Sequence, residues 1–471
     1  MKRRVIATNY DPTAVRAPRL SESFRSQLYT VLQSMRGRPL ARCIRELRKR
    51  ELLSQIDFDE LHRQRLERIL DHARSQVPLY GSGPWRNVSN SPEMFLDNWP
   101  VLEKSVLQAH YEELLAAKQP PKTETLSTSG TTGKPTRVAS DYLASTYGWA
   151  HRYRALQWHG IPIGPRSLRL SHDRRPLRDR ILGQKCVWPL DTDDSVNEAM
   201  DYLVDKRPML VAGTPSAVFY LARRLQERGF TAPLAPFARV GGEQLFSFQR
   251  KHIESYLCGR AIDSYGTTET GALAGECPAG SMHVYAGHVH LEIFRDDAPA
   301  PPGEFGDIVV TTLNNLAMPL IRYKVGDRGR LSLDKCSCGL PYPVLTELQA
   351  RSGDNLVMAD GSLRHSSVLV EQLQAVFDDT RDDFVRQLQF GQNNPDSWEV
   401  WVEGSESIVA KRGNSADTAD IENTITGILH RTVGAKCNVA IHFVSQMPRE
   451  HGKFRYFLAA RSTRRAAQAA P

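Results

Sequence analysis

Hydroxyl side chains, glycines and one lysine are crowded into ten residues of this chain. The segment reads Ser-Thr-Ser-Gly-Thr-Thr-Gly-Lys-Pro-Thr over residues 127–136. Glycines let backbone N–H groups approach an anion, hydroxyls donate further hydrogen bonds, and Lys134 supplies positive charge. A Walker A loop is excluded, because Thr128 stands where that motif needs glycine and Pro135 where it needs serine or threonine. The segment is therefore predicted to bind a polyphosphate.

A second segment places an aromatic ring, a hydroxyl and a carboxylate on one turn. It reads Asp-Ser-Tyr-Gly-Thr-Thr-Glu-Thr-Gly over residues 263–271 and follows a predicted strand. Tyr265 can stack on a base, Thr268 can bond a phosphate and Glu269 can hold Mg²⁺. The turn is a candidate nucleotide contact.

Two further segments carry one charged candidate each. Residues 318–329 read Met-Pro-Leu-Ile-Arg-Tyr-Lys-Val-Gly-Asp-Arg-Gly, and Asp327 can accept hydrogen bonds from both hydroxyls of a ribose. Residues 449–455 read Arg-Glu-His-Gly-Lys-Phe-Arg and contain Lys453. Taken alone, Lys453 is most simply a surface lysine. A functional role for it is suggested only by its occurrence together with the other three segments.

The elements that must position these residues change along the chain. The first hundred residues have helical spacing, with a helix predicted over 58–77 and another over 105–116. Strand, helix, strand, helix and strand then follow over 209–264, which favours a parallel sheet covered by helices. Ligands of such sheets bind at the loops beyond the carboxyl ends of the strands. After about residue 353 the pattern is typical of a small α+β module.

The order and spacing of the four segments resemble the adenylate-forming superfamily of acyl-CoA synthetases, and more narrowly its phenylacetate–coenzyme A ligase-like branch. Three further features support the resemblance to this branch: residues 100–104 (Pro-Val-Leu-Glu-Lys), the Gly242-Glu243 pair and the sequence of 318–327. The resemblance covers nearly the whole chain. It implies an α/β fold with a large N-terminal domain of helix-covered sheets over 1–352, including a helical leader to about 120. A small mobile α+β domain over 353–471 would carry the catalytic lysine.

The resemblance also implies roles for individual residues. The loop at 127–136 would handle the ATP phosphates, the Tyr265 turn would contact adenine, α-phosphate and magnesium, and Asp327 would hold the ribose. The implied catalytic residues are Lys453, Glu269, Thr268 and Lys134. The implied nucleotide-binding residues are Ser129, Gly130, Thr131, Thr132, Gly133, Gly242, Glu243, Tyr265, Gly266, Asp327 and Arg351. The chain departs from the family pattern at Lys324-Val325 and at Gly353, which stands at the usual hinge aspartate.

The implied reaction is ATP- and Mg²⁺-dependent activation of a small carboxylic acid to acyl-AMP, followed by transfer to coenzyme A. An aryl or arylacetic acid is the expected substrate class, and Trp149 and His151 are expected near its pocket. One alternative sends the acyl group to the phosphopantetheine thiol of an acyl carrier protein, or to an amine. Another is a catalytically degenerate protein that only binds a ligand or partner. The oligomeric state is left open.

A possible metal site is formed by Cys277, His283, Cys336 and Cys338, which offer soft or borderline ligands. Some members of the resembled branch carry a similar set and bind structural zinc, so the resemblance implies Zn²⁺ here. The alternative is a set of reduced thiols that line a loop. The other histidines, including His288 and His290 on a predicted strand, are expected at the surface.

Composition limits the remaining classes of function. Against 53 acidic residues the chain has 61 basic ones, a formal net charge of +8, with arginine clusters in 36–50 and 166–180. These clusters are either solvated surface or sites for a polyanion such as ATP, coenzyme A or an acidic carrier protein. No nucleic-acid motif accompanies them, and no apolar run has the roughly 18 residues that span a bilayer. The basic N-terminus lacks the apolar core of a secretory signal, and the seven scattered cysteines are no disulfide framework, so a cytoplasmic protein is expected.

Overall fold

The computed structural model describes residues 20–86, 99–127, 135–171, 183–188, 190, 192–349, 355–377, 385–405, 416–433, 437–447, 454 and 456–458. The chain forms two compact units, each built from segments that are distant in sequence. Unit 1 comprises Met1–Val15, Arg166–Ala261 and Ala350–Pro471; unit 2 comprises Arg16–Pro165 and Ile262–Gln349. The predicted domain boundary at 352 lies outside the described residues and stays a prediction.

Helices and strands cover most of the described chain. In chain order the helices are α1 (Leu20–Met35), α2 (Leu40–Arg50), α3 (Gln55–Gln76), α4 (Lys104–Ala109), α5 (Tyr142–Trp158), α6 (Asp193–Lys206), α7 (Pro215–Glu227), α8 (Ser247–Tyr256), α9 (Ser367–Val370), α10 (Gln374–Phe377) and α11 (Ala416–Val433). The strands are β1 (Thr123–Ser127), β2 (Arg137–Asp141), β3 (Ser167–Leu170), β4 (Gln184–Val187), β5 (Leu210–Gly213), β6 (Ala235–Gly241), β7 (Cys258–Thr267), β8 (Gly271–Glu276), β9 (Met282–Val284), β10 (Val289–Arg295), β11 (Ala298–Pro299), β12 (Phe305–Thr312), β13 (Tyr323–Leu331), β14 (Val344–Gln349), β15 (Asn355–Val357), β16 (Leu363–His365), β17 (Val385–Asn394), β18 (Ser397–Gly404), β19 (Asn438–Val444) and β20 (Phe457–Leu458).

Unit 2 is dominated by antiparallel pairing. Its strands follow the order β11-β10-β12-β13-β14-β9-β8-β7, and β1 and β2 form a separate hairpin. Helix α3 begins at the cap Ser54, whose hydroxyl accepts the Asp57 N–H at 3.2 Å, and it stops just before Pro78. Its apolar face joins one core with strand residues such as Leu273 and Ile308. Burial of this face is what holds α3 against the sheet.

Unit 1 contains the predicted strand–helix–strand–helix series. Strands β6, β5, β3 and β4 pair in parallel in that order. Helix α7 starts with Pro215 at its first turn and with Thr214 as cap, whose hydroxyl accepts the Ala217 N–H at 3.4 Å. The short apolar strands are almost wholly buried, as strands of a covered parallel sheet should be. The parallel sheet predicted from 209–264 is thus confirmed for β5 and β6.

The C-terminal part of unit 1 is the predicted α+β module. It holds the hairpin β15–β16, a four-stranded sheet of order β19-β18-β17-β20, and helix α11. Arg223 of α7 is 1% exposed, and its guanidinium donates to the Val385 carbonyl at 2.9 Å and the Phe377 carbonyl at 3.0 Å. A buried guanidinium that caps carbonyls of the module fixes it to α7. No helix in the described part of the chain has the length and apolar character that crossing a membrane requires.

Candidate active site

Two of the predicted nucleotide residues meet directly in unit 2. Tyr265 lies near the end of β7 and Asp327 lies in β13, and the Tyr265 hydroxyl donates to Asp327 Oδ2 at 2.8 Å. Asp327 is 9% exposed, whereas Tyr265 is half-buried. Residues 62 positions apart therefore form one polar edge, with an aromatic ring at one end and a carboxylate at the other. This arrangement suits a nucleoside, whose base stacks and whose ribose donates hydrogen bonds.

The turn after Tyr265 is tightly closed and holds a buried carboxylate. A Cβ at Gly266 would lie 2.5 Å from the Gly271 carbonyl oxygen, so only glycine fits there. The hydroxyls of Thr267 and Thr270 lie 2.8 Å apart and tie the turn across its base. Glu269 is 6% exposed, while its neighbour Thr268 is exposed. The turn thus presents a hydroxyl outward beside a carboxylate held within the unit.

Lys104 and Tyr323 approach the Glu269 carboxylate, a grouping that sequence reasoning missed. Lys104 Nζ lies 3.6 Å and the Tyr323 hydroxyl 3.5 Å from Glu269 Oε1. Backbone pairing brings them there, because the Leu102 N–H donates to the Arg322 carbonyl at 2.9 Å just before α4. In the sequence, residues 100–104 support the family resemblance but do not indicate a contact with Glu269. A Lys–Glu contact across 165 residues leaves no local signal in a sequence.

An ion pair inside unit 2 fixes the start of the segment that carries Asp327. Arg322 is 2% exposed; its guanidinium donates to Glu292 at 2.7 and 3.1 Å and to the Trp99 carbonyl at 2.8 Å. Burial raises the pKa of the Glu292 carboxyl, while hydrogen bonds from Arg322 oppose that shift. The charges of Arg322 and Glu292 neutralise each other inside unit 2. Arg322 therefore positions β13 rather than facing a ligand.

Unit 1 contributes the predicted Gly242-Glu243 pair at the end of β6. Gly242 has a φ of +86°, a conformation that favours glycine. Glu243 Oε2 accepts the Ser216 N–H at 3.1 Å, so the carboxylate sits at the N-terminus of α7. The carboxylate thereby holds the loop after β6 against the start of the next helix of the unit.

The phosphate loop and two C-terminal residues lie outside the described residues. These are Ser129, Gly130, Thr131, Thr132, Gly133, Lys134, Arg351 and Lys453. The residue after Lys453 is described: Phe454 is buried, and its ring meets that of Tyr456 edge-on at 5.1 Å. The Tyr456 hydroxyl in turn accepts from Gln249 Nε2 at 2.8 Å, on helix α8. The chain beside Lys453 is thus anchored within unit 1 by Gln249, which follows the Gly242-Glu243 pair closely in sequence.

The four predicted metal ligands come together in unit 2. Ligand atoms of Cys277, His283, Cys336 and Cys338 all lie within 4.8 Å of one another. Cys277 Sγ is 3.7 Å from Cys336 Sγ, and Cys338 Sγ is 3.2 Å from His283 Nε2. Tetrahedral zinc with these ligands needs separations of roughly 3.5–3.8 Å. His283 Nδ1 faces the Tyr342 carbonyl at 3.0 Å, which turns Nε2 toward the thiols.

The thiols of this cluster differ in acidity. Desolvation opposes ionisation of Cys336, but hydrogen bonds from Ser281 and the Cys338 N–H lower its pKa to about 6. Desolvation raises the pKa of Cys338 to about 12. The pKa values of Cys336 and Cys338 are thus shifted in opposite directions, and a metal ion would bind both as thiolates. All seven cysteines of the chain are free.

The histidines expected at the surface are placed differently. His288 is 5% exposed, and the side chain of His290 is 21% exposed, so the expectation is wrong for His288 and incomplete for His290. His151 is 1% exposed and stacks on Tyr285 with ring centroids 4.8 Å apart. His288 lies in the turn just before β10, and its ring centroid is 5.9 Å from that of His151 on α5, a tertiary contact that alternation along one strand could not reveal.

Known proteins share this fold and, more distantly, this sequence. Phenylacetate-coenzyme A ligase of Thermus thermophilus is 26% identical over 356 residues, covering 69% of this chain and 76% of the relative. Phenylacetate-coenzyme A ligase of Escherichia coli is 27% identical over 316 residues, covering 60% of this chain and 69% of the relative. A crystal structure of 2-hydroxyisobutyryl-CoA ligase in the postadenylation state has a TM-score of 0.72 at 19% identity, covering 89% of this chain and 93% of that one. No family model matches the chain.

These likenesses define the class: the fold is that of the adenylate-forming ligases, in agreement with the paired Tyr265 and Asp327 and the buried Glu269. In sequence the chain is similar to phenylacetate–coenzyme A ligases, at 26% and 27% identity to the two relatives above. The resemblance inferred from the motifs is thereby confirmed, as is the α/β fold class.

Proposed function

We propose that this protein uses ATP to convert a carboxylic acid to an acyl-AMP, with release of pyrophosphate, and then transfers the acyl group to the thiol of coenzyme A. The observation that carries the proposal is the polar edge of unit 2, where Tyr265 donates to Asp327 near the turn that holds Glu269. The named activity of the sequence relatives supports the same reaction. An aryl or arylacetic acid is the expected substrate class.

The nucleoside end of ATP would bind along the polar edge. The Tyr265 hydroxyl is held by Asp327, so its ring is fixed in place for stacking on adenine. Asp327 would accept hydrogen bonds from the ribose hydroxyls. Gly242 and Glu243, on the loop after β6 of unit 1, are nucleotide-binding residues that the family resemblance implies.

The phosphate end would bind at the turn. Thr268 is exposed and would donate to the α-phosphate, and the buried Glu269 would hold Mg²⁺. Magnesium, when bound, screens the charge of the phosphates. Lys104, 3.6 Å from Glu269, would orient that carboxylate. Lys134 and its loop would hold the β- and γ-phosphates.

A free carboxylate is a poor acyl donor because its leaving group would be oxide. Adenylation solves this by making AMP the leaving group. A carboxylate oxygen attacks the α-phosphorus, a P–O bond forms and the bond to pyrophosphate breaks. The coenzyme A thiol, losing its proton, then attacks the acyl carbonyl, and AMP leaves with the electron pair of the C–O bond. Mutual repulsion of anions is the barrier in the first step, so Lys453 would act by pairing with the attacking carboxylate. Arg351, in the predicted hinge, would contact the nucleotide.

The same proposal includes structural zinc at Cys277, His283, Cys336 and Cys338. Its support is the clustering of the four ligand atoms within 4.8 Å of one another and the orientation of His283 by Tyr342. Purified protein should carry roughly one zinc ion per chain. Cys336→Ser should lower the zinc content and the melting temperature together, whereas Cys186→Ser, at a thiol outside the cluster, should leave the zinc content unchanged. Equal zinc content in both variants would contradict the assignment.

Separating the two half-reactions tests the proposed function. Lys453→Ala should abolish acid-dependent exchange of pyrophosphate into ATP but spare thioester formation from supplied acyl-AMP, because only the first step needs the extra charge. Lys118→Ala, at an exposed lysine, is the matched control. Equal loss of both steps in Lys453→Ala would refute the role of this lysine, and failure of the wild type to bind ATP would refute the function.

A further inference from the structure

His288 of unit 2 is buried, and its Nε2 has no hydrogen-bond partner among the described residues. His288 Nδ1 lies 3.2 Å from Asn314 Nδ2, and Asn314 Oδ1 accepts from Arg65 at 3.3 Å, which fixes the orientation of the amide. Nδ1 is therefore an acceptor, and the neutral ring carries its proton on Nε2. Burial lowers the pKa of His288 to about 4, so the ring is neutral at pH 7. In the described part of the chain, Nε2–H has no hydrogen-bond partner.

At two glycines, the space in front of this nitrogen would admit a methyl group in ordinary van der Waals contact with it. A Cβ on Gly148, in α5, would meet only His288 Nε2 within 4 Å among the described residues, at 3.6 Å. A Cβ on Gly271 would likewise meet only His288 Nε2, also at 3.6 Å. Gly271 follows the buried Glu269 by two residues, so this space adjoins the turn assigned to magnesium and the α-phosphate. A glycine inside a helix costs about 1 kcal/mol relative to alanine, and the space is a reason for accepting that cost at Gly148.

An arginine that pairs with no carboxylate of the described residues lies on the same side of α5 as Gly148. Arg152 follows Gly148 by four residues, hence one helical turn along the same face. Its guanidinium lies over the Trp149 ring at 5.5 Å, and after burial its charge is the next cause that lowers the pKa of His288. Burial lowers the pKa of Arg152 itself. No described acidic side chain forms an ion pair with it, so a half-buried cation is left for a ligand to neutralise.

We infer that Arg152 and His288 Nε2–H bind a second carboxylate of the substrate, so that the acid activated by this protein is a dicarboxylic acid. The inference rests on the proposed function and specifies its substrate class. Lys453 is already assigned to the reacting carboxylate, which loses its charge on adenylation, so Arg152 and the Nε2–H of His288 are left for a group that stays charged. A second carboxylate keeps its charge throughout the reaction. Its pairing with Arg152 and His288 therefore strengthens binding of substrate and transition state alike.

Matched acids test the inference. Acid-dependent exchange of pyrophosphate into ATP is measured with succinate against succinamate and with terephthalate against 4-carbamoylbenzoate; each pair differs only in a carboxylate replaced by an amide. The wild type should prefer a dicarboxylate by about 10- to 100-fold in kcat/KM, the worth of a hydrogen-bonded charge. Arg152→Gln should remove that preference while activity with the amide acid persists. Arg42→Gln, at an exposed guanidinium, should keep the preference.

The outcomes separate this inference from the proposed function. Exchange with the amide acids as good as with the dicarboxylates, unchanged in Arg152→Gln, would overturn the inference and leave the function standing. An equal loss of exchange with every acid in Arg152→Gln would also overturn it, because Arg152 would then serve the reacting carboxylate. Absence of exchange with every acid in the wild type would reject the proposed function itself. His288→Gln, which keeps an N–H donor, should retain more of the preference than His288→Leu.

Discussion

Replacing Arg322 by methionine is expected to destabilise unit 2 strongly without any direct effect on a ligand. The guanidinium and the Glu292 carboxylate are 2% and 6% exposed, and two hydrogen bonds of 2.7 and 3.1 Å join them. Removing one member of a buried pair leaves the other charge uncompensated, which costs about 3–5 kcal/mol. Methionine keeps most of the apolar stem, so little of this loss comes from packing.

A double-mutant cycle isolates the pair. Arg322→Met and Glu292→Met should each lower the free energy of unfolding by about 3–5 kcal/mol, since either change strands a buried charge. The double variant removes both charges and leaves the neutral Trp99 carbonyl without this donor, so it should lie within about 2 kcal/mol of the wild type. The coupling free energy should then be at least about 4 kcal/mol.

Urea unfolding followed by tryptophan fluorescence, with ATP binding measured in parallel, provides the assay. Arg330→Met is the matched control, because its pair with Glu347 is exposed and should be worth less than about 1 kcal/mol. The single variants should bind ATP less well because unit 2 is partly unfolded, and the double variant should bind ATP like the wild type because its stability is restored. If Arg322→Met unfolds like the wild type but no longer binds ATP, Arg322 contacts the nucleotide and its structural assignment is refuted.

Three further predictions concern the site and its surroundings. Glu269→Gln, nearly isosteric, should lower adenylation about 10²- to 10³-fold and remove its dependence on Mg²⁺; an unchanged magnesium titration would speak against the ligand role. Gly148→Ala should raise the free energy of unfolding by up to about 1 kcal/mol yet lower kcat/KM for the acid, and unchanged kinetics would mean that the space is not used. Burial lowers the pKa of His288 and of His290 to about 4, so the unfolded chain binds protons that the folded chain refuses. Stability should be full above pH 6.5 and fall toward pH 4 by up to about 3 kcal/mol for each ring, and a flat urea series over this range would contradict it.

Local patterns predicted the elements of unit 1 well. The strand and helix expected around 209–228 are found as Leu210–Gly213 and Pro215–Glu227, because a buried apolar run and a Thr-Pro helix start act within a few residues. Tertiary contacts changed other elements. The helix predicted over 105–116 ends at Ala109, since later residues pair elsewhere, as when the Ala116 N–H donates to the Ala317 carbonyl.

Individual residues of the site were predictable where a family motif carried them. The contact of Tyr265 with Asp327 joins two such motifs, and the Cys277 cluster follows from its ligand types. The contacts of Glu269 with Lys104 depend on the pairing of distant strands, which periodicity does not specify. His288 lies in a turn beside Gly148 and His151 of α5, and such a contact between distant segments leaves no local pattern in the sequence.

The products formed from ATP test the central claim most directly. With ATP, Mg²⁺ and a panel of mono- and dicarboxylic acids, nucleotide products and acyl species are identified by mass spectrometry with and without coenzyme A. Acyl-AMP and pyrophosphate should appear without coenzyme A, and an acyl thioester with AMP should appear once it is added. Formation of ADP and phosphate, or ATP binding with no acyl product from any acid, would contradict the account.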